Sequence, residues 1–176
     1  ALPIYTNWWF GSYFTSSAPN VTHALTKRGF GAYQRGTYNI VNDPLRTIHI
    51  GFDISEIFQA PNTGVGTAQS FTLSDRPEFR IDPTTLLNTG ALGTVANPVT
   101  GATIYGGEFA ATEGSLFAMA EYYRYDVARR GKTKAKMEGA YAQIGYTIGG
   151  RRGYTANCGC YSGDRKSTRL NSSHAN

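Results

Sequence analysis

Only two cysteines occur in the 176 residues, Cys158 and Cys160, both in the stretch NCGCYSG. One Cys-x-Cys is at most half of the four-ligand set that a structural zinc site needs. No metal is expected, and the pair reads as two small residues in a loop. No apolar run approaches the ~20 residues that a membrane helix requires. The opening ALPIYTNWWF has no basic segment followed by an apolar core, so no signal peptide is expected in it; the chain is mature or cut. His23 and His49 are isolated, and neither His-Glu-x-x-His nor Gly-x-Ser-x-Gly occurs. The glycine-rich NTGVGTA lacks the lysine of a phosphate loop. No enzyme activity and no cofactor are therefore expected. Charged residues are sparse, at 16%, whereas there are 21 glycines and 12 tyrosines. That mixture suits an all-β protein. It also suits a membrane barrel, whose strands turn one side to water and so keep an ordinary mean hydropathy, here −0.35.

The C-terminal DRKSTRLNSSHAN has no periodicity, and its first eleven residues resemble the in-frame translation of a sequencing adapter. Residues 164–176 are accordingly expected to be an artefactual or disordered tail, with residues 1–163 as the folded unit and the natural C-terminus cut away. Without the tail the chain has 14 basic and 11 acidic residues, a net of +3 rather than +5. The basic pI is partly a property of the tail, and no nucleic-acid partner is expected.

Alternation at period two runs through the rest. In TIHIGFDIS, Ile48, Ile50, Phe52 and Ile54 share one side of a segment from Thr47 to Ser55, and Thr47, His49, Gly51, Asp53 and Ser55 share the other. In GAYAQIGYTIGG, Ala140, Ala142, Ile144, Tyr146 and Ile148 oppose Tyr141, Gln143, Gly145 and Thr147. Nine strands are expected: 4–14, 30–41, 47–55, 70–75, 85–93, 103–111, 116–127, 139–150 and 154–161. They should build one twisted, curved, open antiparallel sheet of seven to nine strands. VNDPLRT and TEGS read as tight turns, while TSSAPNVTHALTKR, EIFQAPNTGVGTA and RRGKTKAKMEG read as long loops. Short turns on one side and long loops on the other is the pattern of an outer-membrane barrel, with the short turns periplasmic.

Three stretches, RPEFRIDPTTLLNTGAL, YGGEFAATEGSLFAMAEYYRYDV and GAYAQIGYTIGGRRGYTANCG, resemble in this order the C-terminal half of the phosphate-selective porin O and P family. The resemblance covers most of residues 28–163. The chain departs from it at TIGGRRGY, where the family usually reads Leu-Thr-Gly-Glu. It implies a partial antiparallel transmembrane β-barrel, about half of a sixteen-stranded porin. It further implies passage of small, phosphate-like anions, the bacterial outer membrane as location, contact with outer-membrane lipid and lipopolysaccharide, and a homotrimer for the full-length protein. The family's constriction loop belongs to the N-terminal half.

Anion passage needs fixed positive charge along the lumen. The candidates are Arg35, mid-strand, and Arg76 and Arg80, which Glu78 can brace. Arg124 is a weaker candidate because its parity opposes that of Glu121; it can instead snorkel to the interface. Arg129, Arg130, Lys132, Lys134 and Lys136 form the densest basic run, expected in an extracellular loop, where they would draw anions to the mouth or bind lipopolysaccharide phosphates. For each lumen arginine a structural salt bridge is the competing reading. The alternative for the whole chain is a soluble β-sandwich binding module, of carbohydrate or adhesion type, stacking sugars on Trp8, Trp9 and the tyrosines. The two differ in whether the apolar parity forms one outward band or two facing inner layers.

Overall fold

A computed structural model describes residues 7–16, 29–62, 68–75, 85, 87–155 and 158–166. Its main element is a six-stranded antiparallel sheet of β1 (Trp8–Ser16), β2 (Phe30–Asn42), β3 (Arg46–Gln59), β6 (Val99–Glu113), β7 (Leu116–Arg129) and β8 (Lys132–Tyr146), in that spatial order. Two short ribbons accompany it: β4 (Ser74–Asp75) with β5 (Leu87–Asn88), and β9 (Gly150–Thr155) with β10 (Cys160–Lys166). The sheet is open. Its count falls below the seven to nine strands expected, because the fourth, fifth and ninth segments leave it to form the ribbons.

Each strand alternates between two environments, and directly opposed residues share a face. Phe10, Gly36, Phe52, Gly107, Tyr122 and Ala140 follow one another across the six strands on one face. On this outward face Trp8, Ile50, Phe52, Phe109, Tyr122, Ile144 and Tyr146 remain between 43% and 80% exposed. Apolar side chains in that number are not left open on one side by a sandwich, which would bury them between layers. The sandwich alternative falls on this point, and the expected placing of Ile50, Phe52, Ala142 and Ile144 on one continuous outward face is what is seen.

The opposite face carries the polar set. Thr37, Asn39, Thr47, His49, Asp53 and Thr112 are buried there. At one end the connections are tight. Asp43 and Arg46 exchange backbone hydrogen bonds (2.8 and 3.3 Å), and Gly114–Ser115 and Thr147–Gly149 close the other two. The far end holds the small core of Ala60, Val99, Ala102 and Val127, against which Phe71 and Leu92 of the segment linking β3 to β6 are packed. That segment is tied down by Val99 N donating to Gln69 O (2.9 Å) and Leu92 N to Phe71 O (3.1 Å).

Three expectations need correction. The basic stretch is not a loop: β7 and β8 join through Arg130 and Gly131 alone, and Arg129 pairs with Lys132. Gly131, at φ 67, takes the left-handed conformation that so short a turn demands. Arg129 ends β7, and Lys132, Lys134 and Lys136 lie within β8. The expected strand from Tyr154 to Tyr161 is two strands, turned at Cys158–Gly159. The expected tail boundary also shifts, since Asp164, Arg165 and Lys166 pair with Arg152, Arg151 and Gly150 in β10. Residues 167–176 lie outside the described residues.

Candidate functional site: the inner face

Register across β2, β3, β6 and β7 brings the ionisable side chains of the inner face together. Arg35 is opposite Asp53, Asp53 opposite Gly106, Gly51 opposite Glu108, and Glu108 opposite Glu121. The two glycines make room for the carboxylates. A Cβ at Gly106 would run into the Asp53 carboxylate, and one at Gly51 into that of Glu108. The side chains therefore lie flat across the neighbouring strand rather than standing away from the sheet.

Arg35 is the hub. Its Nη2 meets Glu108 Oε1 at 2.5 Å, and His49 Nε2 meets the same oxygen at 3.3 Å. The guanidinium also donates to Cys158 O (3.0 Å, from Nη1) and Gly159 O (2.9 Å, from Nη2). Its carbon lies 5.6 Å from the centre of the Trp9 ring. Nearby, Tyr123 donates to Glu121 Oε2 at 2.7 Å. The structure thus realises Arg35 on the inner face while binding it closely to a carboxylate and two carbonyls. On the sheet itself one arginine faces three carboxylates, Asp53, Glu108 and Glu121.

The β9–β10 hairpin covers part of this face. Tyr161 reaches Thr47 Oγ1 (2.9 Å) and donates to Ala110 O (3.3 Å), and Tyr154 donates to Asn39 Oδ1. Arg152 lies over the Phe117 ring, 4.1 Å from its centre. Arg151 donates to Pro44 O, and Ser115 to Gly150 O (2.8 Å). The tip is closed by a disulfide between Cys158 and Cys160. Near the tight turns the hairpin and sheet enclose a cavity of about 320 Å³, lined by Arg151, Arg152, Asn42, Asp43, Thr47 and Thr112 among others. A cavity of about 670 Å³ at the other end, between β4–β5 and β7–β8, is lined by tyrosines 123, 125 and 141 with Asn88 and Thr89, and its described lining contains no Arg or Lys.

Arg35 lies on the inner face, where its mid-strand position suggested, and Arg151 and Arg152 of the stretch TIGGRRGY, which the strand pattern did not single out, line the cavity on the same side. Arg124 is on the outward face, opposite Glu138, with its Nε 3.1 Å from Asp126 Oδ1. As a lumen candidate it is corrected: period two alone sets it opposite Glu121. Lys134 and Lys136 flank Ala135, which packs with Met137 on the inner core, so these two lysines point outward, whereas Lys132 lies beyond a register shift and is opposite Arg129. Arg76, Arg80 and Glu78 lie outside the described residues.

The family profile described as phosphate-selective porin O and P matches residues 10–167. The match takes in Asp164 to Lys166, which the tail boundary had excluded. No curated protein and no solved structure matches the chain.

Proposed function

Because the chain belongs to the phosphate-selective porin O and P family, we propose that it forms part of the wall of a water-filled outer-membrane channel that prefers small, phosphate-like anions. The observation that carries the channel reading is the division of one sheet into an apolar outward face and an inner face that holds arginine and carboxylates together. Only lipid on one side and water on the other suits both faces. An open sheet leaves unpaired backbone groups along β1 and β8, and no lipid can satisfy them. Further strands of the full-length protein would close the barrel, and a trimer of such barrels is the assembly the family suggests.

The anion preference is supported by Arg151 and Arg152, which line the cavity beside the tight turns. Both donate through planar forks suited to phosphate oxygens. Arg35 adds a third positive charge further along the wall. Arg76 and Arg80 are the remaining candidates. The lumen route would then pass a basic end and a centre where Arg35 faces three carboxylates, so that the attraction for anions is supplied at the basic end.

The test is a planar-bilayer recording of the full-length protein under a salt gradient. Arg151→Glu/Arg152→Glu is expected to move the reversal potential toward cation permeation. An unchanged potential, with the variant folded and conducting, would remove these arginines from the selectivity mechanism. A wild-type channel that itself prefers cations would overturn the anion reading and leave the acidic centre in control.

A further inference from the structure

The larger cavity, of about 670 Å³, has one wall built from tyrosines of the inner face. Tyr141 is opposite Glu121, Gly139 opposite Tyr123, and Met137 opposite Tyr125. Tyr141, Tyr123 and Tyr125 therefore occupy three successive inward levels of β7 and β8, one ring to a level. The levels are about 6.8 Å apart along the strands. Gly139 leaves the place beside Tyr123 empty, and a Cβ there would meet nothing within 4 Å. The Tyr123 ring is held in place by its hydroxyl, which donates to Glu121 Oε2 at 2.7 Å.

The facing wall is the β4–β5 ribbon. Ser74 pairs with Asn88, and Thr89 N donates to Leu73 O (3.0 Å). Leu73 N in turn donates to Thr89 Oγ1 (3.0 Å), and Gly90 N to Asn88 Oδ1 (2.8 Å). The ribbon thus brings Leu73 and Leu87 to the cavity beside Ser74, Asn88 and Thr89.

This lining selects a class of solute. An anion finds no arginine or lysine among the described lining residues and meets Glu138 instead. A wholly apolar solute would strip water from the hydroxyl and amide groups and give them no partner. A sugar ring answers both demands. Its C–H face stacks on a tyrosine, and its rim of hydroxyls bonds to amide, hydroxyl and carboxylate groups. The volume falls within the ~300–1,000 Å³ of small-molecule sites. The rings also recur along the strand direction, as units recur along a sugar chain. We infer that this cavity binds an uncharged oligosaccharide, with sugar rings stacked on successive tyrosines. The inference rests on the channel reading only for the route by which the solute arrives; binding itself does not require conduction.

The experiment uses the full-length protein with maltotriose as the probe. Sorbitol, which has hydroxyls but no ring face, is the control. Calorimetry in detergent reads binding, and block of a KCl current in planar bilayers reads entry into the pore. Maltotriose is expected to bind in the millimolar range and to block the current with the same midpoint, and sorbitol to do neither. Tyr141→Ala should weaken binding by about two- to ten-fold, the contribution of one aromatic contact, and Tyr141→Phe should retain it. Gly139→Val, whose Cβ enters open space, should unfold at the wild-type denaturant midpoint and lose binding. Equal binding of sorbitol and maltotriose would overturn the inference, as would a maltotriose affinity unchanged in both Tyr141→Ala and Gly139→Val. Binding of indole with exclusion of maltotriose would overturn it too, and make the cavity an apolar site. Maltotriose binding without any current would sink the channel reading and leave the cavity assigned. A current with no maltotriose binding would do the reverse.

Discussion

Replacing Arg35 with methionine keeps the length of the side chain and removes its charge and all its donors. Glu108 then loses its 2.5 Å partner, and the carbonyls of Cys158 and Gly159 lose theirs. A hydrogen bond to a charged group contributes about 1.5–3 kcal/mol, and each bond to a neutral carbonyl about 1 kcal/mol. Both ionic side chains are mostly covered, at 19% and 15% exposure, so solvent screening reduces the pair without abolishing it. The expected loss is about 3 kcal/mol for Arg35→Met and about 2 kcal/mol for Glu108→Gln. The double variant should cost less than the sum by about 1–2 kcal/mol, the coupling between two groups in contact. Denaturant unfolding of the full-length protein, followed by tryptophan fluorescence, supplies the four values of the cycle. Permeation supplies an independent reading. Arg35 against Asp53, Glu108 and Glu121 leaves this cluster at −2. Arg35→Met takes it to −3 and Glu108→Gln to −1, so their reversal potentials should move in opposite directions. Strict additivity of the stability changes, or shifts of the same sign, would refute Arg35 as the hub of this wall.

Gly106→Val should destabilise by more than about 2 kcal/mol in the same unfolding assay, because its side chain would displace the Asp53 carboxylate. Lys134→Glu/Lys136→Glu should leave the reversal potential near the wild-type value, since both side chains are on the outward face; a shift as large as that of Arg151→Glu/Arg152→Glu would contradict the register of β8. Ile50→Lys, placed mid-strand on the outward face, should destabilise the membrane-inserted state by about 2–4 kcal/mol in equilibrium folding into vesicles, whereas Ser55→Lys, on the inner face, should be tolerated.

The strands that alternate most sharply were the most legible. Ile48 to Ile54 fixed the two faces of β3, and the short spacings after Asn42 and Glu113 fixed two turns. The start of β8 was not legible as a strand, because its lysines suggest solvent; only Arg129 opposite Lys132 shows the turn to be two residues long. The hairpin was hidden for another reason. A continuous run from Tyr154 to Tyr161 looks like one strand until Gly159, at φ 55, reverses it. The inner core at the far end gathers Ala60, Val99 and Val127 from segments far apart in sequence. Period-two reasoning carries no information about such pairs, and the same distance hid the Arg35 contacts to the carbonyls of Cys158 and Gly159.

The β9–β10 hairpin shares no backbone ladder with the six-stranded sheet. Among the described residues its backbone is held by its own ladder and by side-chain contacts with the inner face of the sheet. Such an element opens at a lower free energy than the ladders beneath it. Amide deuteration should therefore reach Gly150 to Thr155 long before the centres of β3 and β6, as a separate cooperative unit. Each opening would bare the Arg35 guanidinium and clear the small cavity of one wall, so the bore of the pore would differ between the two states. The channel would then have two current levels, exchanging at the rate at which one hairpin lifts from the strands that carry it.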